Sequence, residues 1–323
     1  MPCTQVKIRP RKPIDNAHII KVLSLLIDHI KIQHVIEGDR KHIFRLRNIK
    51  KAKDHIEAMD TQVTKASQFA RTSGIGEGIK RRITEILSTG TLKELQDTQC
   101  KGILELLQVY GLGQVKVGEL VSRGITCLSE LREAIENETI KVKINQSTHI
   151  ALRYHDEIIQ RIPHSFIKRV DAYLKENIPD NYDYVICGSY RRKRLTSGDI
   201  DVLVRQKEGH NLQPLYKHLT DIGFLKARLA GAYDKYNGIC EFEGRHCRID
   251  LLLTKEKEFY PALVHFTGSG PFNVRVRFHA NNHGYKLSNL GLFSRVTGEQ
   301  IHVSSEKEIF DILGYPYIEP HKR

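Results

Sequence analysis

Apolar residues recur at helical spacing early in the chain: Ile19, Ile20, Val22, Leu23, Leu26, Ile27 and Ile30 predict a buried helix over 18–32. A second helical stretch follows at 44–52, where Arg45, Arg47, Lys50 and Lys51 form a charged face. Ile79, Ile83, Ile86 and Leu87 predict a third helix, residues 127–160 read as helical with mixed charge, and 166–174 as another helix. The period then changes to two. Tyr184–Cys187, Asp199–Val204, Lys235–Phe242 and Arg245–Leu253 read as strands, the last two joined by a turn at Glu243-Gly244. Strand alternation puts Asp199 and Asp201 on one face, and Arg248 and Asp250 on one face with Ile249 and Leu251 opposite.

That pattern has a chemical consequence. Two carboxylates so close repel each other unless a proton or a cation relieves them, and hard divalent ions prefer such oxygen donors. Asp250 opens a run of three leucines, so it is half buried and needs a metal or an arginine as partner. Gly188-Ser189, upstream of the Asp pair, reads as a flexible turn whose amides and hydroxyl can meet phosphate, with Arg191 and Arg192 as charged donors.

Two further segments share a phosphate-binding pattern. Gly74-Ile75-Gly76, followed by Gly78 and Lys80, and Gly111-Leu112-Gly113, followed by Lys116, each open a helix after a Gly-x-Gly turn. Glycine lets the backbone approach a phosphate, and the free amides of a helix start point at it. Two such helix-hairpin-helix elements grip a DNA backbone without reading its bases.

Composition agrees. A chain of 323 residues exceeds one core, since single cores rarely grow beyond about 250–300 residues. The net charge of +13 and a pI near 9.4 point to a polyanionic partner, nucleic acid first. With no apolar run of about 18 residues and no amphipathic anchor, a membrane is not the partner. The six cysteines, Cys3, Cys100, Cys127, Cys187, Cys240 and Cys247, are scattered without a Cys-x-x-Cys pair, so neither a disulfide framework nor zinc is indicated. No signal-peptide core precedes Lys7, Arg9, Arg11 and Lys12, which read as a basic arm or localisation signal. An intracellular location follows, nuclear in first place, with a cytoplasmic one, for example viral, left open.

The run Gly188-Ser189-Tyr190-Arg191-Arg192…Ser197-Gly198-Asp199-Ile200-Asp201, with the two hairpins, resembles the family X DNA polymerases of the polymerase beta type over nearly the whole chain from residue 18. The resemblance implies a multidomain α+β chain: basic arm 1–17, lyase-like DNA-binding domain 18–95 with the first hairpin, fingers 96–160 with the second, nucleotidyltransferase palm 161–262 with a mixed sheet and flanking helices, and a small α/β thumb 263–323. It assigns Asp199, Asp201 and Asp250 to two Mg2+ ions about 3.5–4 Å apart, with Mn2+ able to substitute, and Asp250 as proton acceptor. Arg161, Gly188, Ser189, Arg192, Ser197 and Gly198 hold the triphosphate, while His265, Phe266, Gly268, Asn273 and Arg277 line the nucleotide. Gly74, Gly76, Gly78, Lys80, Gly111, Gly113, Lys116 and Arg248 meet DNA, with a monovalent cation at the hairpins.

Three departures from the family pattern matter. His265 stands where a tyrosine crowds the sugar 2′-hydroxyl, Gly270-Pro271 replaces an Asp-Ile pair, and Arg82 occupies the position of the imine-forming lysine. A guanidinium stays protonated and cannot form the imine, so little or no 5′-deoxyribose-phosphate lyase activity is expected. The implied protein is a monomeric, DNA-directed gap-filling repair polymerase acting on gapped or primer-template DNA and deoxynucleoside triphosphates. The length leaves no room for a BRCT-like module, a proofreading exonuclease or a phosphatase-like domain. Template-independent terminal transfer and a DNA-binding scaffold without catalysis are the alternatives; the short Glu243-Gly244 turn opposes the first and the three aspartates the second.

Overall fold

The computed structural model describes residues 14–323 apart from 58, 60, 71, 73, 96–100, 140, 141, 208 and 210. The arm expected over 1–13, Cys3, Ser73 and Cys100 therefore lie outside the described residues. The chain forms two compact units, one of residues up to Gln108 with Leu112–Lys143, the other of Val109–Gly111 with Ile144–Arg323.

The first unit is helical. Helix α1 (Asn16–Glu37) outruns the expected 18–32 because both its ends are capped. Asp15 Oδ1 accepts from the His18 N–H at 2.8 Å, and Gly38, left-handed at φ 67°, donates to the His34 carbonyl. It packs on α2 (Lys41–Glu57), whose buried edge of Leu46, Ile49, Ala52 and Ile56 leaves Arg47, Lys50 and Lys51 exposed. Helix α3 (Glu77–Thr89) adds Ile79, Ile83 and Ile86 to the same core around Leu23, Leu26, Ile30 and Phe69. Helices α4 (Lys101–Gln108), α5 (Gln114–Ser122) and α6 (Leu128–Glu136) complete the unit.

The two Gly-x-Gly turns adopt one backbone. Gly74 has φ 88° and Gly76 caps α3 at φ −80°, ψ 177°; Gly111 has φ 87° and Gly113 caps α5 at φ −82°, ψ 172°. The left-handed first glycine explains why that residue is used: a Cβ would strain the turn.

The second unit opens with α7 (Gln146–Ile158), β1 (Ile162–Pro163), α8 (His164–Asn177), β2 (Tyr182–Ile186), α9 (Gly188–Arg191), β3 (Thr196–Ser197) and β4 (Ile200–Gln206). It continues through α10 (Gln213–Asp221), β5 (Leu225–Gly231), β6 (Lys235–Phe242) and β7 (Arg245–Thr254). The five-stranded sheet has the order β2-β4-β7-β6-β5; only β4 and β7 are parallel, so the sheet is mixed. Ile200, Val202, Val204, Ile249, Leu251 and Leu253 bury one face against Phe166, Ile167, Val170 and Leu174 of α8 and Leu215 and Leu219 of α10. The intervening residues point to the other face, where Leu203 meets Phe259, Ala262 and Leu263 of α11 (Phe259–Thr267). Asp199, Asp201 and Asp250 share that second face by strand period.

The chain ends with α12 (Gly270–Asn282), β8 (Tyr285–Ser288), β9 (Gly291–Ser294), β10 (Gln300–Ile301) and α13 (Glu306–Ile312) around Phe272, Val276, Leu292, Ile309 and Phe310. This is the expected α+β architecture. Helix α7, read from the sequence with the fingers, packs in the second unit, its Ala151 and Ile158 against Leu229 and Ile239. Among the described residues no helix is long and apolar enough to cross a membrane.

Candidate active site

The parallel pairing of β4 with β7 sets Asp201 directly opposite Asp250, and Asp199, two residues before Asp201, leans to the same face. Each offers a carboxylate oxygen within 4.8 Å of the others. Arg248, from the same face of β7, donates from Nη2 to Asp199 Oδ2 at 2.9 Å and lies 3.6 Å from Asp250 Oδ2. Burial, then the charges of Asp199 and Asp250, push the Asp201 carboxyl up to about 7. Burial also raises Asp199, against the pull of Arg248. Repulsion that one guanidinium does not relieve, on an all-oxygen donor set with no sulfur or imidazole, fits a hard divalent cation.

Beside the carboxylates stands α9. The sequence suggests a flexible turn here; the structure has a helical one, and Asp201 leaves no room for a side chain at its first residue. A Cβ on Gly188 (φ 54°) would fall 2.1 Å from Asp201 Oδ2. From this turn Arg192 donates through Nη2 to Ser189 Oγ at 3.3 Å and through Nη1 to the Thr267 carbonyl at 2.6 Å. The two-residue ladder of β1 with β3 delivers Arg161 to the same place: its Nη2 donates to the Thr196 carbonyl at 2.7 Å, and a Cβ on Gly198 would lie 3.1 Å from its Nη1. The Ser197 hydroxyl and Arg192 Nε are buried here without a protein hydrogen-bond partner.

Arg191 corrects the sequence reading. Instead of offering itself to phosphate, its guanidinium is held by Glu306 at 2.5 Å and by the Thr267 hydroxyl at 2.6 Å. Glu306 also accepts from Arg323 Nη1 at 2.8 Å, so two guanidiniums share one carboxylate, which ties α9 to α13. Glu306 was invisible to sequence reasoning, since behind Ser305 it looks like any acid in the first turn of a helix.

Among the residues expected to line a nucleotide, Asn273 Nδ2 donates to the His265 carbonyl at 2.7 Å and Arg277 Nη2 donates to His265 Nδ1 at 2.8 Å. Burial and the Arg277 charge hold the His265 imidazole below its ordinary pKa, so it stays a neutral acceptor. Phe266 lines a small cavity of about 40 Å³ with Asp201, Asp250 and Lys235. Lys235 was missed because it opens a strand like any solvated lysine. Gly268, left-handed at φ 68°, is 3.1 Å at its would-be Cβ from Arg192 Nη1.

In the first unit, Gly78 lies within α3, Lys80 pairs with Glu77 at 2.8 Å, and Lys116 donates to the Lys143 carbonyl at 3.1 Å. Arg82 donates to Glu94 through Nε at 2.5 Å and Nη2 at 3.2 Å, while Arg45 reaches the same carboxylate at 3.0 Å. The position of the expected imine-forming lysine thus holds a paired guanidinium.

Family profiles match three stretches of the chain: one described as a helix-hairpin-helix domain over residues 14–92, DNA polymerase beta palm over 161–256 and DNA polymerase beta thumb over 262–323. The chain is 28% identical over 347 residues to DNA polymerase lambda of Arabidopsis thaliana, covering 97% of this chain and 63% of that protein. It is 27% identical to DNA polymerase lambda of Rattus norvegicus, covering 95% and 56%. It is also 27% identical to the DNA polymerase/3'-5' exonuclease PolX of Bacillus subtilis (strain 168), covering 94% and 54%. The chain therefore spans little more than half the length of these relatives. With three aspartates gathered on neighbouring strands of a polymerase beta palm, a matching thumb and paired hairpins of one backbone geometry, the chain belongs to family X of the DNA polymerases.

Proposed function

We propose that this chain adds deoxynucleotides to a primer 3′-hydroxyl on gapped or primer-template DNA, filling short gaps in repair. The observation that carries this is the in-register opposition of Asp201 and Asp250 with Asp199 beside them. Asp199 and Asp201 would hold two Mg2+ ions, Asp250 sharing one; bound there, such ions lower the pKa of the attacking hydroxyl and neutralise the leaving pyrophosphate. The protein's own groups do the rest. Asp250 accepts the hydroxyl proton, Arg161, Arg192, Ser189 and the Gly198 amide orient the triphosphate, and Arg248, released from Asp199, turns to the primer backbone. Preorganised charge of this kind contributes several kcal/mol to phosphoryl transfer. Gly74, Gly76, Gly111 and Gly113 hold the DNA backbone, with a monovalent cation at their carbonyls.

The test is incorporation into a one-nucleotide gap with each template base, using deoxy and ribo substrates. Templated incorporation is the expected result; equal addition without a template would favour terminal transfer instead. The two-residue β6–β7 turn, with Glu243 clamped by Arg169 at 2.6 Å, offers no inserted loop for that alternative. His265→Tyr should increase discrimination against ribonucleotides several-fold, read as the ratio of kcat/KM values.

Lyase chemistry is expected to be weak or absent, because Arg82 is both the wrong base and already engaged by Glu94. Borohydride treatment with a gapped DNA carrying a 5′ abasic end should leave no trapped adduct, and efficient trapping would overturn this reading.

A further inference from the structure

The second unit carries an open basin of about 760 Å³ whose lining includes none of the three aspartates. Its wall includes Pro163 and the His164 ring, which stacks on Tyr190 with centroids 4.6 Å and planes 27° apart. The Tyr190 hydroxyl donates to Asp171 Oδ2 at 3.4 Å, which holds the ring pair in place. At the rim stands Leu195, 90% exposed, an apolar side chain with nothing over it. Lys168 and Lys193 bring charge, both exposed and neither in an ion pair with a described residue; Arg194 adds a third cation, and Arg191, which also lines the basin, is held by Glu306. Among the described residues no acidic one lines the basin.

These features select a ligand. Aromatic and aliphatic surface would be wasted on an inorganic anion, while an apolar molecule would leave the cations without a partner. A base with a phosphate satisfies both, through stacking and charge-assisted hydrogen bonds. The volume lies within the range of about 300–1,000 Å³ usual for small-ligand sites. The 188–198 segment has two sides: Ser189 and Arg192 turn to the carboxylates, while Tyr190 and Lys193 turn to the basin.

We propose that this basin is a second nucleotide site, taking a nucleoside phosphate either as a free mononucleotide or as an unpaired nucleotide of a DNA strand. The experiment uses the full chain without divalent metal, so its outcome is independent of whether polymerisation occurs. The probes are fluorescently labelled dAMP, and duplex DNA with and without a short unpaired extension, followed by anisotropy. Lys168→Glu combined with Lys193→Glu should weaken dAMP about tenfold if the source is free nucleotide, or abolish the affinity gained from the extension if the source is DNA. Lys175→Glu combined with Lys217→Glu, an equal charge change at exposed sites elsewhere, should leave both unchanged. Retention of both affinities in the basin variant, with native circular dichroism, would overturn the proposal. So would an equal loss in the control, which would mean general electrostatics.

Discussion

Asp201→Asn should lower incorporation by about 10³-fold or more at saturating Mg2+, while affinity for gapped DNA changes little and metal-free thermal stability rises. The activity loss follows from position: Asp201 lies directly opposite Asp250, clusters with Asp199 and abuts the α9 turn. The stability gain follows from the sign of its pKa shift. The folded-state value, about 7, lies above the ordinary 3.8, so as pH rises the unfolded chain releases this proton first. Stability from the protonated group is complete below pH about 4 and disappears towards pH 7, and the amide removes that loss. Gap-filling kinetics and melting in EDTA check the two halves separately. Retained incorporation would end the assignment, and lower metal-free stability would contradict the electrostatic account.

Glu306→Gln should destabilise the second unit by about 3–5 kcal/mol, because it strips two guanidiniums of their shared counter-charge in a nearly dry setting. The Glu306 side chain is 8% exposed and that of Arg323 0%. Arg323 also lies over the rings of Phe272, Phe310 and Tyr317, so it cannot turn to water without opening that core. Burial alone would raise the Glu306 carboxyl; Arg191 and Arg323 together outweigh it and hold it below 4.5. Its contribution is therefore present above the unfolded value and lost as pH falls through the lower folded one. Urea unfolding of the wild type should show that acid-side loss, and the variant should lack it. An unchanged midpoint would mean that the triad contributes nothing. Since Arg191 anchors the turn carrying Ser189 and Arg192, the variant should also lose incorporation, with KM for the nucleotide rising.

The aspartate cluster was legible because a strand's two-residue period is local: Asp199 with Asp201, and Arg248 with Asp250, share faces whatever the rest of the chain does. The hairpins were legible for a similar reason, as left-handed backbone at Gly74 and Gly111 is a property of the residue itself. Other features were not local. Arg191 and Arg192 are identical in kind and adjacent, yet one is spent on Glu306 while the other faces the carboxylates, a division made by which side of α9 meets α13. Glu306 lies 115 residues from its partner Arg191, and no spacing rule links them.

Sequence by itself determined the main helices, the strands β2, β4, β6 and β7, the chemistry available on each face and the family, since periodicity, glycine conformation and charge are written into short runs of residues. Only the tertiary structure decided that β4 and β7 lie parallel and in register. That pairing turns two separated acidic strands into one cluster, and long-range strand pairing depends on side-chain packing across the whole sheet rather than on any local preference.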